Sequence, residues 1–394
     1  MPAAKPKRHV ALLIETSRAY GRGLLQGISR FIREHQHWTV RLQDRGLNDP
    51  LPEWLHRWPV DGVLARVETR QLEDQLRRLK KPVLNLCGSW TGSRLPVLDT
   101  DDEAVAKLAF DHLRERGFRE LAWCGFGATG WSEVREKCFA KLCAEASLSC
   151  HIYHPPRKPL HALTLEVERH GMRHEAHLAQ WLKALPKPVG VLAANDLRGQ
   201  QIIDLCAELK LTVPDEVAVL GVDNDELLCA LTAPPLSSVV PACERIGYEA
   251  ASRLDRLMSG QKRSAESLII PPAGVVTRRS TDVLALDDRH VASALRYIRE
   301  HACEGIGVDA LLKCVPLSRS SLERRFLKHL GRAPKAEILR VQLERARQLL
   351  VETDWTMSAI AERSGFRHTE HFCTLFKSKT GQTPGRFRKS NQRR

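Results

Sequence analysis

The sequence predicts two bodies of different class. Residues 8–280 read as an α/β region of two lobes, each on a doubly wound parallel sheet, and residues 287–390 as an all-α region with two helix-turn-helix units; residues 281–286 are the expected linker. Three observations predict this. Short apolar runs alternate with helix-period segments through the first 280 residues. A pattern of short helix, tight turn, longer basic helix and Gly-x-x-Pro occurs twice near the C-terminus. The net charge of +14 is also uneven: residues 285–394 hold 22 Lys and Arg against 12 Asp and Glu, the other 284 residues 39 against 35. A basic segment on a nearly neutral body suggests a nucleic-acid-binding module, although charge alone fits a solvated basic surface equally well.

The first strand is residues 9–14, a continuous apolar run after His9, followed by a polar loop and a helical pattern through Leu24, Leu25, Ile28, Phe31 and Ile32. Strand-like runs recur at 62–65, 82–86, 120–124, 189–193 and 217–221, with helix-period segments at 71–79, 103–116 and 197–209. Apolar strands separated by amphipathic helices give βαβ units and parallel sheets. About 270 residues is large for one such sheet, hence two lobes.

Composition excludes several classes. No stretch approaches the ~18 apolar residues that span a bilayer, and the run from Val10 to Ile14 is too short for a signal-peptide core. Eleven Cys with no Cys-x-x-Cys pair argue against a disulfide framework or zinc knuckle, so a reduced, cytoplasmic protein is expected. Gly21-Arg-Gly23 with Gly27 superficially suggests a dinucleotide fingerprint, but the first glycine lies too far from the strand and the third comes one position late. We expect loop and helix-entry glycines, and no cofactor. His151, His154, His161, His170, His174 and His177 cluster in sequence, yet only His170 and His174 have i,i+4 spacing and no His-Glu-x-x-His arrangement forms. No metal site is expected, nor any catalytic residue, because no set of nucleophile, base and orienting group is present.

In doubly wound sheets ligands bind beyond the carboxyl ends of the strands. Two strands end in polar clusters there: Ala193-Ala-Asn195-Asp196 and Gly221-Val-Asp223-Asn224-Asp225. Amides and carboxylates pair with vicinal hydroxyls, the chemistry of a sugar pocket. The competing reading makes Asn195, Asp196 and Asp225 helix N-caps. Arg135, near Trp131, suits a fork onto hydroxyls beneath an aromatic plate, or else a surface pair with Glu133 or Glu136.

These runs, with Leu98-Asp-Thr-Asp-Asp, Ala109-Phe-Asp-His-Leu113 and Gly117-Phe-Arg-Glu-Leu-Ala122, resemble the effector domain of the lactose- and galactose-repressor families over roughly residues 8–280. The resemblance implies a periplasmic-binding-protein-like domain, two lobes hinged around one sugar. It implies that Arg135, Asn195 and Asp223 contact that sugar, with Tyr20 and Trp131 against its ring; Asp196 completes the candidate set. Those repressors begin with a helix-turn-helix, whereas this chain enters its first strand near His9, so its DNA-binding part is expected elsewhere.

The C-terminal elements follow from period and caps. Val291, Leu295 and Ile298 mark one helix, and residues 308–315 form a short one closed by Pro316. Ser318 caps a helix over 319–330, with Leu322, Phe326 and Leu330 inward and Gly331 stopping it. Pro334 leads a long helix to Glu352, about 28 Å at 1.5 Å per residue. Another short helix spans 357–363, and a longer one 369–379 has Phe372 and Phe376 inward. Two such units on one rigid helix would set two reading helices about one DNA turn, ~34 Å, apart. An oligomerising bundle has the same periodicity, but not the duplication with a charge of +10.

Arg345-Ala-Arg-Gln-Leu-Leu350, Ile360-Ala361, Gly365-Phe366, Phe372, Phe376-Lys377 and Gly381-Gln-Thr-Pro384 with Phe387-Arg388 match the signature of the arabinose-regulator family, which this region resembles throughout. The resemblance implies that Ser320, Glu323 and Arg324 face base edges from the first reading helix, and Thr369, Cys373 and Thr374 from the second; all six avoid the core stripes. Arg324 suits guanine and Glu323 cytosine N4. Arg319, Lys328, Arg367, Lys377 and Arg388 are placed on phosphates. Together the two resemblances imply a sugar-responsive regulator of a sugar-utilisation operon, expected to be an activator working with RNA polymerase and a homodimer on double-stranded DNA, without membrane contact. The pocket residues alone indicate a polyol; the combined resemblance implies a pentose, D-xylose. A carbohydrate-active enzyme with a DNA-binding tail and a ligand-independent DNA-binding dimer are the alternatives.

Overall fold

The computed structural model describes residues 7–391 except 36, 44–45, 47–48, 89–91, 127–129, 156–163, 173, 262–265 and 283–287. The chain divides into two compact units, Met1–Val283 and Leu284–Arg394. Most of the expected linker, residues 283–286, therefore lies outside the described residues.

The first unit has two lobes. Lobe 1 is a parallel sheet of order β2-β1-β3-β4, from β1 (Arg8–Leu13), β2 (Trp38–Leu42), β3 (Gly62–Ala65) and β4 (Val83–Asn85). Beside it, β5 (Leu98–Thr100) pairs in parallel with β11 (Leu268–Ile270). Helices α1 (Ala19–His35), α2 (Arg70–Arg77) and α9 (Cys243–Met258) belong to this lobe. Val10, Leu12 and Leu64 from the sheet bury against Leu24 and Ile28 of α1 and against Ile246, Ala250 and Leu254 of α9.

Lobe 2 is a six-stranded sheet of order β12-β10-β9-β8-β6-β7. Its strands are β6 (Glu120–Cys124), β7 (Ser149–Ile152), β8 (Val189–Ala193), β9 (Val217–Val222), β10 (Ser237–Val240) and the antiparallel edge β12 (Gly274–Val276). Around it lie α3 (Asp102–Glu115), α4 (Gly130–Glu145), α5 (Thr164–Met172), α6 (Glu175–Ala184), α7 (Asp196–Glu208) and α8 (Glu226–Leu231). Strands β8 and β9 are buried along their whole length, as parallel strands covered on both faces must be. The chain crosses between lobes three times, after β5, β10 and β11.

Gly27 lies where α1 meets α9: a Cβ there would stand 1.9 Å from the Glu244 carbonyl oxygen, and one at Gly247 would stand 2.0 Å from that of Leu24. Gly27 therefore lets two helix backbones touch, whereas Gly21, whose Cβ would stand 2.2 Å from the Glu15 carbonyl oxygen, has the helix-entry role expected.

The second unit is all helix: α10 (Arg289–His301), a short turn Ala302–Glu304, α11 (Val308–Cys314), α12 (Arg319–Leu330), α13 (Pro334–Glu352), α14 (Met357–Arg363), α15 (Thr369–Thr380) and α16 (Pro384–Asn391). The Ser318 hydroxyl accepts from Ser321 N–H at 3.3 Å, and Thr356 caps α14 likewise at 3.2 Å. Two cores form. One joins Val291, Ile298, Leu311, Leu322, Phe326 and Ile338; the other joins Leu343, Ala346, Leu350, Ile360, Phe372 and Phe376. They meet along α13.

Candidate ligand cleft and nucleic-acid interface

A cavity of about 220 Å³ opens between the lobes of the first unit, and all six ligand candidates line it. From lobe 2, the start of α4 brings Arg135 under Trp131, with its guanidinium 4.8 Å from the ring centre. Arg135 Nε donates to Asp102 Oδ1 at 2.8 Å and Nη1 to the Ala194 carbonyl at 2.9 Å. The arginine is buried and pairs with neither Glu133 nor Glu136. Burial raises the Asp102 carboxyl to about 6 even against the pull of Arg135.

Asn195 is the N-cap of the competing reading, and it also lines the cleft. Its Oδ1 caps α7 by accepting from Arg198 N–H at 3.1 Å, while its Nδ2 donates to Glu168 Oε1 at 2.7 Å inside the cleft. Asp196 lines the cleft and is tied to its own lobe through both carboxylate oxygens. Its Oδ1 accepts from the Ser238 hydroxyl at 2.6 Å and its Oδ2 from Asp225 N–H at 2.7 Å. Burial, reinforced by the Asp223 charge, raises this carboxyl to about 8. Both oxygens serve the lobe itself and brace the loop after β9.

In that loop Asp223 has φ 104° and Asn224 φ 49°. A non-glycine residue held at such a φ costs about 1–3 kcal/mol and persists where the surroundings impose it. The Asp223 side chain lines the cleft, and burial raises its carboxyl to about 6 despite Arg135.

From lobe 1, Tyr20 donates its hydroxyl to Asp99 Oδ1 at 2.6 Å and lies 3.1 Å from Thr100 Oγ1. Burial, then the Asp99 charge, pushes its phenol well above the usual range, so it stays a donor. The Arg66 guanidinium, ion-paired with Glu15, sits 4.9 Å above the Tyr20 ring. Each lobe thus offers an arginine fixed by a carboxylate and stacked on an aromatic. Contacts also cross the cleft: Arg18 pairs with Glu168, Arg22 Nη2 meets Asp225 Oδ2 at 2.9 Å, and Glu68 Oε2 accepts from Thr164 N–H at 3.4 Å.

Sequence reasoning missed Arg18, Arg66, Asp99, Asp102 and Glu168. Asp99 and Asp102 carried the available signal, a carboxylate cluster between a strand and a helix as at 223–225. Arg18, Arg66 and Glu168 are charges without a local motif: the Arg18–Glu168 pair spans 150 residues and the Arg66–Glu15 pair 51. Two of the histidines have partners outside the cleft. His151 Nε2 lies 2.8 Å from Glu120 Oε2 and His177 Nδ1 3.2 Å from the Tyr153 hydroxyl, while His161 lies outside the described residues.

In the second unit, Ser320 and Arg324 are exposed on α12, and half-buried Glu323 pairs with exposed Arg319 at 3.7 Å. On α15 Thr374 is exposed and Thr369 half-buried. Cys373 differs from expectation and packs partly against the Phe372 and Phe376 core. Lys328, Arg367 and Lys377 are exposed. Arg388 Nη2 donates to the Trp355 carbonyl at 2.6 Å, which ties α16 to the loop before α14.

A two-lobed cleft unit followed by paired helix-turn-helix units defines the class, a ligand-responsive DNA-binding transcription regulator. Family models agree along the chain: an XylR N-terminal domain matches residues 9–100, a periplasmic binding protein-like domain 110–281 and a helix-turn-helix domain 311–390. The xylose operon regulatory protein of Escherichia coli K12 is 34% identical over 98% of both chains, and that of Haemophilus influenzae is 30% identical over 96% of this chain and 97% of its own. The chain belongs to the xylose operon regulatory protein family. The solved structure of a xylose-binding transcription activator, xylR, superposes with a TM-score of 0.76 at 30% identity, covering 99% of this chain and 100% of that one. A LacI-type regulator from Alkaliphilus metalliredigens, solved with D-xylulofuranose, matches 70% of this chain and 99% of its own at TM-score 0.53 and 17% identity, a likeness of fold.

Proposed function

We propose that this chain is a D-xylose-responsive transcription activator of a sugar-utilisation operon, working in the cytoplasm as a homodimer on direct-repeat half-sites and engaging RNA polymerase there. The observation that carries the sugar reading is the cleft. Arg135 and Asp223 place a donor and an acceptor together, Asn195 adds an amide, and Tyr20 and Trp131 supply flat apolar faces from opposite lobes. That combination suits a ring bearing vicinal hydroxyls. At ~30 Å³ per water the cavity equals about seven water volumes, the scale of one monosaccharide.

Arg135 has two of its three nitrogens committed to Asp102 and Ala194, which fixes the plane of the guanidinium and aims Nη2. Asp223, as a carboxylate, accepts hydrogen bonds from hydroxyls. A sugar touching both Tyr20 and these lobe 2 groups binds the closed arrangement more tightly than an open one, and it shifts the lobe equilibrium by that difference in affinity. Ser320, Glu323, Arg324, Thr369 and Thr374 read bases, with Arg319, Lys328, Arg367 and Lys377 on phosphates. Asp196, Cys373 and Arg388 serve as positioning groups.

The deciding experiment is thermal unfolding of the full chain with D-xylose, D-ribose, L-arabinose and D-glucose. D-Xylose should give the largest rise; saturation at one hundred times Kd adds about 2.7 kcal/mol. The pairs that close the cleft without a ligand favour one rival, a ligand-independent regulator. That rival prevails if no sugar changes either melting or operator affinity.

A further inference from the structure

The two helix-turn-helix cores share α13, and the residue at their junction is polar. Ile338 and Val341 pack into the first core, Leu343 and Ala346 into the second. Between them stands Gln342, only 8% exposed. Its side-chain amide has two N–H groups, and each has a carbonyl from a different unit. Nε2 donates to Ala302, in the turn that ends α10, at 2.8 Å, and to Gly365, in the turn between α14 and α15, at 3.2 Å.

The second turn is also butted against the first. Gly365 has φ 83°, and a Cβ there would stand 2.6 Å from the Ala302 carbonyl oxygen and 2.9 Å from Cys303 Cα. A methionine in place of Gln342 would fill the same space but supply neither donor. A buried amide shared by two units, where the neighbouring α13 side chains are apolar, acts on their mutual placement more than on either core.

We propose that Gln342 is a positioning residue that sets the separation and angle of α12 and α15, so that the protein measures the spacing between two successive DNA sub-sites. The inference rests on α12 and α15 being the reading helices. The two helix-turn-helix units share α13 and touch where the Gly365 turn meets Ala302; the Gln342 amide bonds both sides of that contact and holds it in one register. Two elements held at a fixed separation bind only a duplex whose sub-sites match it, about one turn or ~34 Å apart.

The test uses full-length protein and a duplex it selects from a random-sequence pool, with the two sub-sites mapped by footprinting. Wild type and Q342M are titrated against that duplex, the same duplex with one base pair inserted between sub-sites, and the duplex with one sub-site scrambled. Q342M should bind the selected duplex about tenfold more weakly, as expected for a lost pair of buried amide bonds. It should lose most of the wild-type penalty for the insertion and match wild type on the single sub-site. The proposal is overturned if Q342M keeps the wild-type spacing penalty, or if it weakens equally on all three duplexes. If scrambling either sub-site leaves wild-type affinity unchanged, the assignment of α12 and α15 fails, and the inference with it. Should circular dichroism show Q342M unfolded, Q342N takes its place on the same duplexes, because its amide is one methylene too short to span both carbonyls. The same loss of spacing penalty is then expected of Q342N, and the same two results overturn the proposal.

Discussion

Replacing Asp223 with asparagine should make the sugar-free protein more stable while abolishing its response to sugar. The carboxyl ionises near 3.8 in the unfolded chain and at about 6 in the cleft, because burial outweighs the attraction of Arg135. Between those values the folded state keeps a proton that the unfolded state has released, so stability falls as pH rises through the window, and the cost is complete above about 6. The shift corresponds to a ceiling of about 3 kcal/mol. Water in the cleft lowers that, and about 1–2 kcal/mol is expected at pH 7.5. Asparagine tolerates positive φ, so the backbone of the loop is left as it is. For a unit of this size the gain is a rise in melting temperature of about 2–8 °C. The assay is calorimetry of wild type and D223N at pH 7.5 and pH 4, each with and without D-xylose. The gain should shrink to about 0.5 kcal/mol at pH 4, where the unfolded carboxyl is still partly ionised, and D-xylose should no longer shift the variant. A variant that melts no higher at pH 7.5 and keeps its full D-xylose shift would refute both the electrostatic account and the ligand role.

Arg135→Met leaves Asp102 buried without its partner; urea denaturation should show a loss of about 3 kcal/mol, with no sugar-induced shift remaining. Arg324→Ala should cost about 1–3 kcal/mol on the selected operator and nothing on random DNA in electrophoretic mobility assays, whereas a uniform loss would make Arg324 a phosphate contact. Asp288 caps α10 through His290 N–H at 3.0 Å and pairs with Arg325 at 2.8 Å. Burial would raise its carboxyl, but these partners outweigh it and hold the group below 3.8. Its contribution is therefore present above pH 4 and lost as pH falls further; D288A should destabilise the second unit by about 1–2 kcal/mol at pH 7, read by denaturant melts. His112, buried 2.8 Å from Thr281 Oγ1, is pushed down to about 3 by burial and Arg116. The unfolded chain takes up a proton below 6.5 that the folded chain refuses, so wild type should lose up to ~1.4 kcal/mol per pH unit below that point relative to H112Q, with parallel pH profiles counting against the account.

The elements legible in the sequence were those with a local signature. Strands β8 and β9 are continuous apolar runs, and α12, α13 and α14 carry caps, a leading proline or a stopping glycine. Strand β2 lacked such a sign because it is an edge with only Trp38 buried, so no apolar run marks it. Helix α4 buries Ser132, Arg135, Phe139 and Cys143, a mixed stripe that hydrophobic period alone passes over. The site divides the same way. Asn195 and Asp223 stand at strand ends and announce themselves, whereas Glu168 acquires its role only when α5 brings it to Arg18 and Asn195. Asp196 shows what geometry adds to chemistry: the carboxylate lies in the cleft, and both of its oxygens also brace its own lobe.

The backbone-to-backbone contact of α1 with α9 has a consequence for the order in which the protein is made. Gly27 and Gly247 are separated by most of the first unit, and α9 covers the sheet laid down by β1, β3 and β4. As the chain leaves the ribosome, lobe 2 can complete five of its six strands before α9 has been synthesised, while the apolar face of the older lobe still waits for its cover. The N-terminal lobe is thus translated first and sealed last, and the interval between leaves it open to chaperones and to misassociation.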